Sequence, residues 1–170
     1  MLKTFFVKNF DTIEKSKYND FLRYMLDNSD EFSLVYFKYK ESEPTKKSTY
    51  EIKKRLSPYK ISAKNVNVMP SMITLNENGH IYRLTRYESS SEVEEILSSV
   101  DMLYDWDYPK YPMDLCFYKN GYCWFAVSSH EYWNAIYTND NEIINDLEKI
   151  GLEIEYYGET KENELFYVNS

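Results

Sequence analysis

The chain has 170 residues and a formal net charge of −8, and 43% of its residues are hydrophobic. With only four glycines and five prolines, this composition excludes a disordered chain and supplies enough apolar material for one domain or two small packed halves. No apolar run reaches bilayer-spanning length and the first ten residues lack a secretory signal, so we expect a cytoplasmic protein that does not contact a membrane.

The first half of the chain alternates strand and helix patterns. Residues 2–7 predict a strand, and Asp11 with Glu14 has the spacing of a capping box. An apolar stripe with helical spacing follows at Tyr18, Phe21, Leu22, Met25 and Leu26. The other predicted elements are a strand at 32–39, a polar loop at 41–45, a helix at 46–56, strands at 61–68 and 81–87, and a further short strand at 72–75 before a turn at 76–79.

The second half predicts two helices and a β-meander. Ser91 with Glu94 marks the start of a helix whose apolar stripe extends to Tyr104. Asn120-Gly121 is a preferred pair for a two-residue type I′ turn, so it predicts a hairpin. The remaining predicted elements are hairpin strands at 115–119 and 122–127, a strand at 135–138, a helix from Asn139 with Glu142 to Gly151, and strands at 152–157 and 164–168. This order predicts an α+β fold with a mostly antiparallel mixed sheet and about four helices.

Charge is divided unevenly along the chain. Residues 1–86 carry sixteen Lys and Arg against ten Asp and Glu, a net of +6, whereas residues 87–170 carry four against eighteen, a net of −14. We expect a single domain over residues 1–170, or two packed halves with a basic part at 1–88 and an acidic part at 89–170. Either these parts attract each other, or the acidic part steers a basic partner protein towards itself. Nucleic acid is disfavoured as a partner because the acidic part repels phosphate.

Aromatic residues concentrate between Tyr104 and Trp133, where eleven of thirty residues are Tyr, Trp or Phe. The predicted turn pairs the hairpin residues as Lys119 with Tyr122, Tyr118 with Cys123, Phe117 with Trp124, and Cys116 with Phe125. This register places the two cysteines diagonally on one face, farther apart than a disulfide allows, so we expect two buried free thiols. Both faces of the hairpin are apolar, so either helices cover both or one face is left for a partner.

The run Ser128-Ser129-His130-Glu131 contains residue types that are used in catalysis. Triad residues, however, meet in space rather than in sequence, and the chain has no nucleophile elbow. His130 with Glu131 lacks the second histidine of a metalloprotease helix. The four aspartates between residues 101 and 114 do not have the spacing of a calcium loop. We therefore expect no catalytic residues, no metal and no cofactor.

The acidic and aromatic residues after position 100 suit the recognition of basic side chains. Arg or Lys can stack on Trp106 or Tyr108 while pairing with the neighbouring aspartates. The residues predicted to bind a partner are Tyr104, Asp105, Trp106, Asp107, Tyr108, Tyr111, Asp114 and Trp133. The alternative is that the aspartates cap the preceding helix and solvate the loop.

A set of longer motifs is spread over the chain. They are Phe-Leu-Arg-Tyr at 21–24, Trp106-Asp107-Tyr108-Pro109, the run from Tyr111 to Lys119, Gly121, Cys123-Trp124-Phe125 and His130-Glu131. Together they resemble a family of small uncharacterised cytosolic proteins of spore-forming Gram-positive bacteria, some of which are labelled stage III sporulation protein AH. That family implies no known activity and no catalytic residues. In size, charge and aromatic content the chain also resembles small acidic α+β immunity proteins that neutralise polymorphic toxins.

Three hypotheses for function follow. The first is a non-enzymatic immunity or inhibitor protein that binds and occludes a basic toxin or nuclease. The second is a structural or regulatory homodimer, in sporulation or phage–host interplay, whose aromatic hairpin packs on its own copy and hides Trp124. The third is an enzyme that uses His130 and Glu131, which requires a deep pocket that holds both residues with a Ser or Tyr hydroxyl within reach.

Overall fold

The computed structural model describes residues 1–38, 47–75 and 79–169, so the predicted loop at 41–45 and most of the predicted turn at 76–79 lie outside it. Its α-helices are α1 (Lys15–Asp27), α2 (Lys47–Leu56), α3 (Glu94–Leu97) and α4 (Asn141–Ile150). Its strands are β1 (Leu2–Val7), β2 (Glu31–Lys38), β3 (Lys60–Asn65), β4 (Ile81–Glu88), β5 (Met113–Lys119), β6 (Tyr122–Ser128), β7 (Trp133–Tyr137) and β8 (Ile154–Thr160). The predicted α+β class, with a mostly antiparallel sheet and about four helices, is confirmed.

All eight strands join one sheet in the order β3-β4-β2-β5-β6-β7-β1-β8, and each neighbouring pair is antiparallel. Both the basic and the acidic part of the chain contribute to this sheet. β2 from the basic part lies beside β5 from the acidic part, with Phe32 opposite Phe117. Farther along the sheet, β1 lies between β7 and β8. The hydrophobic core consequently contains residues from both parts.

Helices pack against the sheet through apolar stripes. The predicted stripe of α1 is buried, and the Phe21 ring at its centre lies 5.3 Å from the Phe125 ring of β6. α2 covers β2, where Lys53 Nζ lies 5.3 Å from the centre of the Tyr36 ring. Because successive side chains of a strand point to opposite faces, Phe37 points away from α2. Within the described ranges, no helix combines the length and the apolar character needed to cross a membrane.

The β5–β6 hairpin follows the predicted register only near its turn. Lys119 pairs with Tyr122 and Tyr118 with Cys123, as predicted. The ladder then shifts, because Phe117 pairs with Phe125 instead of Trp124. The predicted pairs beyond Tyr118 are therefore wrong. The physical reason is a β-bulge, in which β6 contains one extra residue opposite β5. The pairing of every later residue of β6 is therefore shifted by one position relative to the predicted register.

Two helix starts differ from the predicted capping boxes. α1 begins after Glu14, whose side chain makes no cap hydrogen bond, so Asp11 does not form the predicted box with it. Before α3, the side chain of Ser90 rather than Ser91 accepts a hydrogen bond from the Glu92 N–H. α3 itself is only four residues long, although its predicted apolar stripe is buried as expected.

The start of α4 is displaced by one residue. Asp140 caps the helix, since its Oδ1 accepts a hydrogen bond from the Glu142 N–H at 2.9 Å. Asn139, the predicted cap, is used elsewhere. Its Oδ1 accepts from the Lys3 N–H at 3.0 Å and its Nδ2 donates to the Met1 C=O at 3.0 Å. A tertiary contact to the start of the chain thus takes the place of a local one.

Two predicted strands are reduced to isolated bridges. The strand predicted at 72–75 contributes one pair, Val68 with Thr74, and the strand predicted at 164–168 contributes one pair, Tyr122 with Tyr167. The segment between β3 and β4 is therefore irregular over the residues described there. This irregular segment forms one wall of the site described below.

Candidate functional site

A pocket of about 710 Å³ lies at the Phe37 end of β2. Its walls come from the adjoining ends of β2 and β4, the segment after β3, the loop that leads into β5, and the turn after β6. The lining residues are Phe37, Met69, Ser71, Ile73, Leu75, Tyr82, Asp107, Tyr108, Pro109, Met113, Asp114, Ser128, His130 and Glu131. These described residues include three carboxylates and neither Lys nor Arg. We name it the aspartate pocket after Asp107 and Asp114.

Asp107 is held in the loop before β5 by its own neighbours. Its Oδ1 accepts a hydrogen bond from the Tyr108 N–H at 2.9 Å, and its C=O accepts from the Tyr111 N–H at 3.0 Å. Burial raises the pKa of Asp107, and this effect outweighs the lowering by His130 and by the Tyr108 N–H. The pocket therefore contains a carboxylate that has lost part of its hydration.

Asp114, within β5, is the more buried carboxylate, with 5% of the residue exposed. Its φ of 59° is left-handed, a conformation that Asp adopts more readily than most residues. Its N–H donates to the Trp106 C=O at 3.0 Å, and its Oδ1 accepts from the Ser129 N–H at 2.8 Å. Burial raises the pKa of Asp114 to about 7, with a further increase from the charge of Asp107, against the lowering effect of the Ser129 N–H.

Aromatic rings from β2, β4 and the loop before β5 form one wall of the pocket. The Phe37 ring lies 4.9 Å from the ring of Tyr82, its partner across the β2–β4 ladder, and 4.7 Å from the ring of Tyr108 in an edge-to-face arrangement. Flat apolar surfaces therefore stand beside two partly desolvated carboxylates. This combination suits a cation that is carried on an apolar stem.

His130 and Glu131 both line the pocket, together with Ser128. His130 Nδ1 lies 3.7 Å from Asp107 Oδ2, which is too long for a hydrogen bond. The His130 side chain is 84% exposed. Among the described residues, no Ser or Tyr hydroxyl forms a hydrogen bond with His130. The arrangement thus contains the residue types of an acid–base catalyst without an activated nucleophile, and the enzyme hypothesis stays a prediction.

The structure overturns the expectation that Trp106 and Tyr104 are exposed contact residues. Trp106 is fully buried, and its Nε1 donates to the Tyr18 hydroxyl at 3.0 Å. Tyr104 is also buried, and its hydroxyl accepts a hydrogen bond from Asn134 Nδ2 at 2.8 Å. Both rings complete the core and satisfy its polar groups, because a buried indole or phenol needs a hydrogen-bond partner. Neither ring is available to a partner in this conformation.

The other predicted partner-binding residues are distributed between three roles. Asp105 caps its own turn, since its Oδ2 accepts from the N–H groups of residues 101 and 102 at 3.1 Å each. Tyr111 and Trp133 are half-buried against the core. Asp107, Tyr108 and Asp114 line the aspartate pocket. The structure therefore brings together three of the eight residues. The capping interpretation applies to Asp105, and recognition of a partner by Asp107 and Asp114 stays a prediction.

The structure also bears on the expectations for Asp101, Trp124 and the two cysteines. Asp101, which the sequence groups with the other aspartates, has a side chain that is 92% exposed and is not part of the pocket. The homodimer hypothesis expects a second copy of the chain to hide Trp124. This residue is already buried within one chain, where its Nε1 donates to Ser29 Oγ at 3.0 Å. Burial of Trp124 is consequently no evidence for a homodimer. The expectation of two buried free thiols, Cys116 and Cys123, is confirmed.

Sequence reasoning missed the part of the pocket that lies before residue 100. The aromatic wall at Phe37 and Tyr82 comes from strands that were predicted, and their alternation could have placed both rings on one face. Met69, Ser71 and Ile73 come from a segment whose irregular path has no local signal except Pro70. What the sequence could not show is that this segment lies against the loop around Asp107.

The described residues contain no group of three or more His, Cys, Asp or Glu side chains that could hold a metal ion. Comparison of the chain with family models, with curated proteins and with solved structures finds no match. The resemblance to the family from spore-forming bacteria and to immunity proteins therefore stays a prediction. The inference about function depends on the aspartate pocket itself.

Proposed function

We propose that the protein is a non-enzymatic binding module that recognises a basic partner protein through the aspartate pocket. One observation carries this proposal: Asp107, Asp114 and Glu131 line a pocket whose other walls are aromatic and apolar, with no lysine or arginine among the lining residues that the structure describes. A cation that enters the pocket gains two kinds of interaction, ion pairing with the carboxylates and contact with the rings. A protein surface rich in Lys and Arg supplies such cations.

The charge of the chain supports the same partner. The acidic part has a net charge of −14 over residues 87–170, so it attracts a basic protein at long range and accelerates the encounter. Long-range attraction does not by itself choose a partner. Specificity requires a site that disfavours other ligands. A ligand without a positive charge would leave the buried carboxylate of Asp114 unpaired, so Asp114 disfavours such a ligand.

An immunity or inhibitor protein is the form of binding module that we propose. Such a protein acts by covering the functional surface of its partner and needs no chemistry of its own. A basic toxin or nuclease presents the cations that the aspartate pocket selects. The open pocket and the acidic character of the chain support this proposal.

The experiment is affinity capture from a host lysate with three baits: wild type, Asp107→Asn with Glu131→Gln, and Asp101→Asn with Glu95→Gln. Both double variants remove two negative charges, but only the first pair lines the pocket. We expect wild type and the second variant to capture the same basic protein and the first variant to lose it. Equal loss in both variants would indicate attraction by net charge alone, and equal retention would exclude the pocket.

The captured protein then allows a direct test of inhibition. We expect its expression without this chain to arrest growth of the host, and co-expression with wild type to restore growth. The pocket variant should not restore growth, while the matched charge variant should. If the partner is harmless when expressed alone, the immunity role is wrong even if binding through the pocket is correct.

A further inference from the structure

The two oxygens of Asp114 have different surroundings. Oδ1 accepts the Ser129 N–H at 2.8 Å, while Oδ2 is not among the buried side-chain atoms that lack a partner, and the Ser129 side chain also lowers the pKa of the carboxyl group. The residue is only 5% exposed and yet lines the pocket. Burial raises the pKa of Asp114 more than Ser129 and His130 lower it, so the hydrogen bonds within the fold compensate the desolvation of this carboxylate only in part. The pocket is the direction from which a donor can arrive.

Asp107 supplies a second acceptor in the same pocket. Its Oδ1 accepts the Tyr108 N–H, and its Oδ2 lies 3.7 Å from His130 Nδ1. A ligand that donates to both carboxylates at once therefore fits better than one that satisfies a single carboxylate. A guanidinium presents five N–H donors in a planar fork, whereas an ammonium is a compact charge with stronger hydration.

The walls of the pocket favour the same group. The rings of Phe37, Tyr82 and Tyr108 lie together on one side, and a planar guanidinium stacks on aromatic rings more readily than an ammonium does. Met113 adds apolar surface for the three methylene groups of an arginine stem. We propose that the aspartate pocket receives one arginine side chain of the partner, with its guanidinium between the carboxylates of Asp107 and Asp114.

This inference rests on the proposed function, because it names the residue by which the basic partner is held. The source of the guanidinium is a polypeptide rather than free arginine. Free arginine brings an α-carboxylate, which Glu131 repels and which finds no Lys or Arg among the described lining residues of the pocket. Within a polypeptide the α-carboxyl group of arginine forms a peptide bond and carries no charge.

The test uses four probes: the capped amino acids N-acetyl-arginine methylamide, N-acetyl-lysine methylamide and N-acetyl-citrulline methylamide, and free L-arginine. Binding is followed by NMR through the amides of Tyr108 and Ser129, which donate to the two carboxylates. We expect saturable shifts with capped arginine and a Kd on the order of 1 mM, as befits a ligand of this size. Capped lysine and free arginine should bind at least about fivefold more weakly, and neutral citrulline should not saturate.

The variants Asp114→Asn and Asp107→Asn should each weaken capped arginine by about tenfold or more, because each removes one charged acceptor. Asp101→Asn, outside the pocket, should keep the wild-type affinity. Amide spectra away from the pocket show whether each variant is folded, and Asp107→Asn gives the answer if Asp114→Asn does not fold. Equal affinity for the arginine and lysine probes, binding of citrulline, or no effect of either variant would overturn the inference.

The outcomes also separate this inference from the proposed function. If capped arginine does not bind while the pocket variant still loses the captured partner, the arginine assignment is wrong and the binding function stands. If capped arginine binds but the pocket variant keeps the partner, the pocket recognises arginine and the proposed function is wrong.

Discussion

Asp114 combines burial, a left-handed backbone and a carboxyl group that accepts a hydrogen bond from the Ser129 N–H. Its carboxyl group lies between β5 and the turn after β6, where the Ser129 N–H is its donor. One N–H does not replace the water that a carboxylate loses on burial. The pKa of Asp114 is accordingly raised to about 7. Near neutral pH this residue is poised between a neutral acid and a charged acceptor.

The first prediction concerns the pH dependence of stability at Asp114. Its folded pKa of about 7 is above the ordinary 3.8, so the folded state holds the proton more tightly than the unfolded state. The stability contributed by the protonated group is present below about pH 4 and is lost as the pH rises to about 7. We expect the free energy of unfolding of wild type, relative to Asp114→Asn, to fall by roughly 3 kcal/mol between pH 4 and pH 8.

Urea unfolding at each pH measures this difference. The titratable groups near Asp114 are Asp107, His130 and Cys116, and both proteins retain all three, so the comparison isolates Asp114. Asp101→Asn is the control, since the Asp101 side chain is 92% exposed. The free energy of unfolding of wild type relative to Asp101→Asn should change by less than about 0.5 kcal/mol between pH 4 and pH 8. A wild-type to Asp114→Asn difference that does not vary with pH would show that the carboxyl is well solvated.

The second prediction concerns Trp106. Its indole is fully buried, bonds to the Tyr18 hydroxyl and lies 5.5 Å from the Tyr111 ring. We expect Trp106→Ala to lower the free energy of unfolding by about 3–5 kcal/mol, because it leaves a cavity and removes the donor to Tyr18. Trp133→Ala, at a half-buried ring, should have a smaller effect in the same urea titration. Retention of wild-type stability by Trp106→Ala would place this ring on the surface after all.

Composition alone could not place these rings. Tyr and Trp are amphipathic, so they occur both in cores and at interfaces, and a run of them predicts large contact area without showing which partner supplies the contact. Trp106 and Asp107 are adjacent in the sequence, yet Trp106 lies in the core and Asp107 lines the pocket. Asp107, Tyr108 and Asp114, which the sequence groups as partner-binding residues, do line one pocket. The same reasoning included Asp105, which caps a turn.

At the scale of elements, strong local signals identified most of the strands and helices. The apolar stripe of α1 and the Asn120-Gly121 turn depend on periodicity and on positive φ, and both are visible in the sequence. The bulge of β6 is different. An extra residue keeps the same composition and gives no local signal, so a count from the turn becomes wrong at Trp124.

The third prediction concerns the N-terminus of α4. Asp140 accepts a hydrogen bond from the Glu142 N–H and supplies a negative charge at a helix N-terminus. We expect Asp140→Ala to lower the free energy of unfolding by about 1 kcal/mol, through loss of the cap and of the favourable charge. Asn141→Ala is the matched control, because Asn141 is exposed at the first helical position, and it should change stability by less than about 0.5 kcal/mol. An equal effect of both substitutions, measured by thermal unfolding, would assign the cap to neither side chain.

At the scale of the whole molecule, the fold class was predictable and the pocket was not. The alternation of strand and helix patterns determines the layers of an α+β fold. The aspartate pocket instead requires Phe37, the segment around Ser71 and the loop at Asp107 to meet, and these are far apart in the sequence. Which strands become neighbours depends on tertiary packing, and the periodicity of a single sequence gives no signal for it.

The last prediction tests whether the basic and acidic parts form one cooperative unit. Cys116 in β5 and Cys123 in β6 are buried thiols, and burial raises the pKa of Cys116 well above its ordinary value. Reaction with a thiol reagent therefore requires opening of the acidic part, and we expect native labelling at least about a thousandfold slower than in the unfolded chain. Because β2 lies directly beside β5, opening this hairpin also exposes β2.

The free energy of opening measured by thiol labelling should then equal the free energy of opening measured by hydrogen exchange at the amides of β2 and β4. A lower value for the thiols would show that residues 89–170 unfold on their own and that the chain consists of two packed halves.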